Sequence, residues 1–118
     1  MNAHRFFHCL GEPTRLYAML LLHDRGELCV CELVAALEQS QPKVSRHLAQ
    51  LRHCELLADE RRGQWVYYRL HPGLPAWTLG VLEQAVEAES AALAVMRQRL
   101  GCATGLPGSS GRGALACG

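Results

Sequence analysis

Between Val30 and Leu70 the spacing of apolar residues changes once, from the three-and-four step of a helix to the alternation of a strand. That single change limits what the chain can fold into. Val30, Leu33, Val34 and Leu37 line one face of a helix, Glu38-Gln39-Ser40 makes a tight link, and Val44, Leu48 and Leu51 line one face of the next helix. Ser40 is a good cap for this second helix, and Pro42 falls in its first turn, where a missing backbone N–H costs nothing. Two runs rich in β-formers follow, Leu57 to Arg61 and Gln64 to Leu70, joined around Arg62-Gly63. The order predicts a mainly α fold with a β-hairpin wing, a winged helix-turn-helix.

The flanking segments fit around that unit. Residues 2–10 read as a short helix with Phe6, Phe7 and Leu10 on its apolar side, and Gly11-Glu12-Pro13 restarts the chain. A helix over about 13–24 buries Leu16, Met19 and Leu20 and stops at Asp24-Arg25-Gly26. After Pro75 a long helical stretch, Ala76 to Leu100, carries Leu79, Leu82, Val86, Glu89, Leu93, Met96 and Leu100 at alternating steps of three and four. Such a stripe, polar only at Glu89, predicts a dimer seam, so a homodimer through terminal helices is expected. Residues 101–118 hold six glycines and predict a flexible tail. Residues 1–100 are then expected to form one domain, the winged helix-turn-helix with its dimer seam. No internal repeat is visible.

Composition removes several classes. The chain has 118 residues, 49 % of them hydrophobic and 19 % charged, enough to bury one core. Its longest apolar run, Leu16 to Leu22, is far below the ~20 residues of a membrane span. The N-terminus lacks a signal-peptide pattern, so a cytoplasmic protein is expected. The net charge of +1 hides an asymmetry, because residues 40–70 carry six basic and three acidic side chains. A localised basic patch points to nucleic acid more strongly than overall charge does. An enzyme is not expected, since neither a Cys-x-x-Cys in a βαβ context nor a nucleophile–base pair is present.

With Val44, Leu48 and Leu51 facing inward, the helix after Ser40 turns Gln41, Ser45, Ala49 and Arg52 outward and sets Lys43 and Arg46 on its flank. Gln and Arg there suit base edges, while Ser and Lys suit phosphates. Arg61 and Arg62 lie where a wing would touch the DNA backbone or minor groove. Gln41, Lys43, Ser45, Arg46, Arg61 and Arg62 are the candidate DNA contacts.

Six cysteines, unevenly spaced, do not make a disulfide framework. Cys29 and Cys31 stand out as a Cys-x-Cys near a helix start, where the helix dipole favours thiolate. Thiolates suit soft ions such as As(III), Sb(III), Cd(II), Pb(II) or Zn(II). Residues two apart on a regular helix point about 200° from one another, so one ion taking both sulfurs is expected to unwind or bend the first turn. Cys9 and Cys54 read as packing residues, and His47 is given no role.

Three segments together carry a family likeness: Glu27-Leu28-Cys29-Val30-Cys31-Glu32-Leu33, Ser40-Gln41-Pro42-Lys43-Val44-Ser45-Arg46-His47-Leu48 and Gln64-Trp65-Val66-Tyr67-Tyr68-Arg69-Leu70. The chain resembles the ArsR/SmtB family over about residues 4–100, and within it the arsenic-responsive repressors. Gly11-Glu12-Pro13-Thr14-Arg15-Leu16 adds to the likeness. The resemblance implies a dimeric repressor of an arsenic-resistance operon, with operator DNA as partner. As(III) or Sb(III) on Cys29 and Cys31 would be the inducer, and no organic cofactor is implied. Val34 stands where arsenic-responsive relatives often have a third cysteine. The third ligand is therefore sought in an outside thiol, water or Cys102, and Cys117 is left without a role. The cadmium/lead branch adds cysteines from an N-terminal arm, and the zinc branch uses Asp, His and Glu on the last helix. Between Gly73 and Leu100 there is no His or Asp. A Cd/Pb/Zn-responsive repressor and a thiol redox sensor on the same scaffold are the alternatives.

Overall fold

The computed structural model describes residues 1–102. In chain order the elements are α1 (Ala3–Cys9), α2 (Pro13–Arg25), β1 (Glu27–Cys29), α3 (Val30–Leu37), α4 (Gln41–His53), β2 (Leu57–Arg62), β3 (Trp65–Leu70), α5 (Ala76–Ala88) and α6 (Ser90–Cys102). Local chemistry accounts for most boundaries. The Asn2 side chain accepts from the Arg5 backbone N–H at 2.8 Å to start α1. Glu12 does the same for Arg15 at 3.1 Å, one residue ahead of Pro13, to start α2. Ser40 caps α4 by accepting from the Lys43 N–H at 3.4 Å. The α3–α4 link turns at Glu38, which holds a left-handed φ of 53°.

The sheet is antiparallel in the order β1-β3-β2. Its hairpin turns through Gly63 and Gln64, and Gly63 takes φ 64° at the first loop position, the conformation a two-residue turn asks of glycine there. The expected hairpin is therefore present, and it has gained a third strand. Glu27, Leu28 and Cys29 pair with Arg69, Tyr68 and Tyr67 of β3. Three residues are too few to display an alternation, so β1 left no periodic trace in the sequence.

The core gathers Phe6, Met19, Leu20, Leu21, Leu22, Leu33, Leu48, Leu51, Leu56 and Leu57, all fully or almost fully buried. The predicted continuous C-terminal helix is two helices. Glu89, the one polar member of its stripe, sits at the bend, where its carboxylate accepts from the Tyr17 hydroxyl at 2.7 Å. The bend lays α6 back over α3, and Arg97 pairs with Asp24 on α2 at 2.8 Å. Leu82 and Leu93 are 0 % exposed within a single chain. Most of the expected dimer seam is thus this chain's own core, because the bend turns the stripe inward. Among the described residues no helix is long and apolar enough to cross a membrane. The tail expected beyond α6 lies outside the described residues.

Candidate nucleic-acid interface and thiol site

Helix α4 stands over the core on Val44, Leu48 and Leu51. Gln41 and Arg46 are exposed on its outer side, and Lys43 and Ser45 are half-buried beside them. Arg52 also faces out, where it pairs with Asp59 of β2 at 2.9 Å and braces the helix against the wing. Behind α4 lies a polar cluster that periodicity could not reveal. The Arg15 guanidinium donates to the Cys9 carbonyl at 2.7 Å and to Gln50 Oε1 at 3.0 Å, and His47 Nδ1 lies 3.2 Å from Arg15 and 3.1 Å from Gln50 Oε1. His47 Nε2 is 3.5 Å from the Glu12 carboxylate. Burial pushes the Glu12 carboxyl up, but the Arg15 backbone N–H and the facing His47 and Arg15 outweigh it and hold the group below the usual carboxylate value. His47 therefore has a structural role, pinning α4 to the start of α2. The sequence signal for this cluster was Glu12 directly before Pro13, a cap position.

The wing arginines divide. Arg61 is exposed and reaches the Gly63 carbonyl at 3.3 Å. Arg62 forms a two-pronged bond with Glu27 at 2.9 and 2.6 Å, another to Glu60 at 2.9 Å, and lies 4.4 Å from the centre of the Tyr67 ring. Its bonds to Glu27 and then Glu60 push the guanidinium pKa up. Arg62, expected as a DNA contact, is held by the wing itself, because the unforeseen strand β1 brings Glu27 alongside.

Cys29 ends β1 and is the N-cap of α3, with extended φ −88° and ψ 167°. Cys31 is the second helical residue. Their sulfurs lie 3.0 Å apart. The expected unwinding of the helix is therefore not needed to bring them together. Cys29 is outside the regular turn, and its extended backbone swings its side chain over Cys31. Glu32, buried at N3, accepts from the Cys29 backbone N–H at 2.8 Å and fixes this geometry. Cys29 is fully buried, while Cys31 is partly open to solvent.

Among the described residues no three His, Cys, Asp or Glu side chains are gathered as a metal cluster. Val34 is half-buried and packs against the core. Cys102 is the last residue of α6, and its side chain, like Cys117, is outside what the structure describes. Arg99, one turn earlier, donates to the Ala36 carbonyl at 2.9 Å and pairs with Glu38 at 3.2 Å, at the opposite end of α3 from the two sulfurs.

An exposed basic helix, a supporting helix before it and a three-stranded wing define a winged-helix DNA-binding regulator. Residues 12–59 match the family described as bacterial regulatory protein, arsR family. The chain is 58 % identical over 82 residues to the arsenic resistance transcriptional regulator ArsR1 of Pseudomonas putida, covering 70 % of this chain and 64 % of that protein, less than two thirds of its length. It is 52 % identical over 101 residues to ArsR2 of the same organism, covering 86 % of this chain and 88 % of that one. Among solved structures, HlyU from Vibrio cholerae superposes with a TM-score of 0.67 at 30 % identity, covering 75 % of this chain and 91 % of that chain. The chain belongs to the ArsR family of bacterial transcriptional regulators.

Proposed function

We propose that this protein is a repressor that holds operator DNA as a homodimer and releases it when As(III), or Sb(III), is taken by Cys29 and Cys31. The single observation that carries this reading is the sulfur pair 3.0 Å apart at the β1–α3 junction, inside the helix-turn-helix unit. The names of the Pseudomonas putida relatives, arsenic resistance transcriptional regulators, support the inducer. The residues fit a soft ion. The two sulfurs stand close enough that one soft ion could take both with only a small change in their spacing. Bound there, the ion would supply two metal–thiolate bonds that fix this spacing. A third bond would come from water, an outside thiol or a cysteine of a second copy, since α6 carries Cys102 toward the far end of α3.

The chain's own residues supply a path from thiols to DNA. Cys29 pairs with Tyr67 in the sheet, and Arg62 clamps Glu27 while covering the same Tyr67 ring. Any opening of the sulfur pair pulls on β1, and through it on β3 and the wing. On the other side, α3 leads through Glu38 into α4. Gln41, Lys43, Ser45 and Arg46 would meet the operator through the outer face of α4, with Arg61 at the wing. The reading asks for no catalysis, and it places the protein in the cytoplasm with its DNA, where thiols stay reduced.

For the dimer, exposed large apolar side chains remain on α1 and α5, with Val95 on α6. Phe7, Trp77 and Leu79 are 52 %, 38 % and 38 % exposed, and Trp77 packs edge-on against Phe6 at 5.1 Å. Leu79→Glu is expected to leave a folded monomer in sedimentation, whereas Leu82→Glu buries an unpaired carboxylate and costs on the order of 4 kcal/mol, enough to unfold the chain. A folded dimer from Leu79→Glu would move the interface elsewhere.

The test of function is fluorescence anisotropy on the DNA upstream of the protein's own gene. Binding should fall steeply with salt. Arg46→Ala should weaken it about ten-fold, and Lys43→Ala should lower the salt slope by about one. Arsenite under reducing conditions should release the DNA. The close sulfurs also favour a redox reading, which predicts release by peroxide and none by arsenite.

A further inference from the structure

A second cysteine pair lies away from the first. Cys9, at the end of α1, and Cys54, at the C-cap of α4, carry free thiols beside a common cavity, though 45 positions separate them. They line a cavity of about 420 Å³ together with His8, Arg15, Arg46 and His53. Cys9 is buried, Cys54 partly so, and His8, Arg46 and His53 are exposed, so the cavity reaches the surface. We propose that Cys9 and Cys54 form a second ligand site, which takes one neutral trivalent arsenical, arsenite or a mono-organic derivative, through both sulfurs. This inference stands apart from the Cys29–Cys31 reading.

The chemistry selects that ligand class. Burial first, then the hydrogen bond and charge of Cys54, push the Cys9 thiol up to about 11, and nearby Arg5 and Arg15 offset this in part. A divalent cation would have to drive the proton from a thiol that holds it, and no third His, Cys, Asp or Glu among the described residues completes a cluster around it. A neutral arsenical meets neither obstacle. Arsenous acid, As(OH)3, condenses with two thiols to give HO–As(S–Cys)2 and two molecules of water. Two As–O bonds break and two As–S bonds form. Each thiol proton leaves with a departing hydroxide, arsenic stays trivalent, and no net charge enters the cavity. A mono-organic acid R–As(OH)2 reacts identically and is fully satisfied by two sulfurs. Its organic group then occupies the cavity against Arg46, on the flank of the helix proposed to meet DNA.

The experiment uses the full chain with Cys29, Cys31, Cys102 and Cys117 changed to Ser, kept reduced with a phosphine, and treated natively with phenylarsine oxide or, in a parallel arm, arsenite. Native mass spectrometry should give one arsenic per chain with phenylarsine oxide. Arsenite should give the same, and an adduct with phenylarsine oxide alone would assign the site to mono-organic arsenicals. A further Cys9→Ser or Cys54→Ser should bring the count to zero. As a check against misfolding, the chain with only Cys102→Ser and Cys117→Ser should take two phenylarsenic groups, falling to one in its Cys9→Ser form. No adduct on the four-serine chain together with a count of one in the two-serine chain would overturn the proposal. So would an adduct that survives both Cys9→Ser and Cys54→Ser.

Discussion

Among the described residues two pairs of cysteines lie close together, and they are built in opposite ways. Cys29 and Cys31 are close in sequence and are brought together by one local device, an extended residue at the start of a helix. Cys9 and Cys54 are far apart in sequence and meet only because α1 packs beside the end of α4. The first pair is tied by backbone pairing to the wing, so a change in its spacing is mechanically connected to the DNA-facing elements. The second lines a cavity that reaches the surface and has no strand pairing of its own to the wing. Two identical functional groups thus differ in what they can do. On the functions proposed above, one would transmit a change and the other would hold a ligand.

The largest effect separating the pairs is expected from serine substitutions. Cys29→Ser puts a hydroxyl at the α3 N-cap with Glu32 three residues on, a favourable capping arrangement, so folding should survive. Loss of one sulfur nevertheless removes the two-point grip. Cys29→Ser and Cys31→Ser should each abolish arsenite-driven operator release about as fully as the double variant, a non-additivity expected of groups that act as a unit. Cys9→Ser and Cys54→Ser should leave that release in place. An arsenite titration of operator anisotropy checks all five proteins.

A smaller effect sharpens the mechanical side of the comparison. Arg62→Ala removes the clamp on Glu27 and the cover over Tyr67 while leaving both sulfurs untouched. Arsenite should still bind, by ultraviolet absorption of the thiolate complex, but the affinity ratio for operator without and with arsenite should shrink by about five-fold. An unchanged ratio would route the coupling through α3 and α4 instead.

The smallest effect is one of pH. Because Cys9 holds its proton up to about 11, its alkylation by iodoacetamide should stay slow at neutral pH and climb about ten-fold per unit toward that value. The raised value also means that the neutral thiol stabilises the fold at lower pH, and that this contribution is lost as pH rises through about 11. Peptide mapping after timed labelling measures the rate directly.

Much of this was legible beforehand. The caps, the Pro positions and the apolar periods marked α1, α2, α4 and the hairpin to within a residue or two, because those signals are local. What escaped depends on tertiary contact. Strand β1 exists because β3 offers it a partner, and without it neither the position of Cys29 outside the helix nor the Glu27–Arg62 bond could be foreseen. The bend at Glu89 needed Tyr17, 72 positions away, to accept a polar residue within an apolar stripe. Likewise His47 gained its role only when Arg15 and Glu12 came up behind α4. The thiol motif was visible as residue types at a spacing, but its geometry was not.

The central claim is that one soft ion on Cys29 and Cys31 frees the operator. Its most direct test follows operator anisotropy and bound arsenic in the same reduced sample, for the parent and for the chain with both Cys29→Ser and Cys31→Ser. The account predicts that the parent loses DNA in step with arsenic bound at this site, and that the double variant keeps its DNA at every arsenite concentration the parent responds to. Release from the double variant at the parent's arsenite concentration would contradict it.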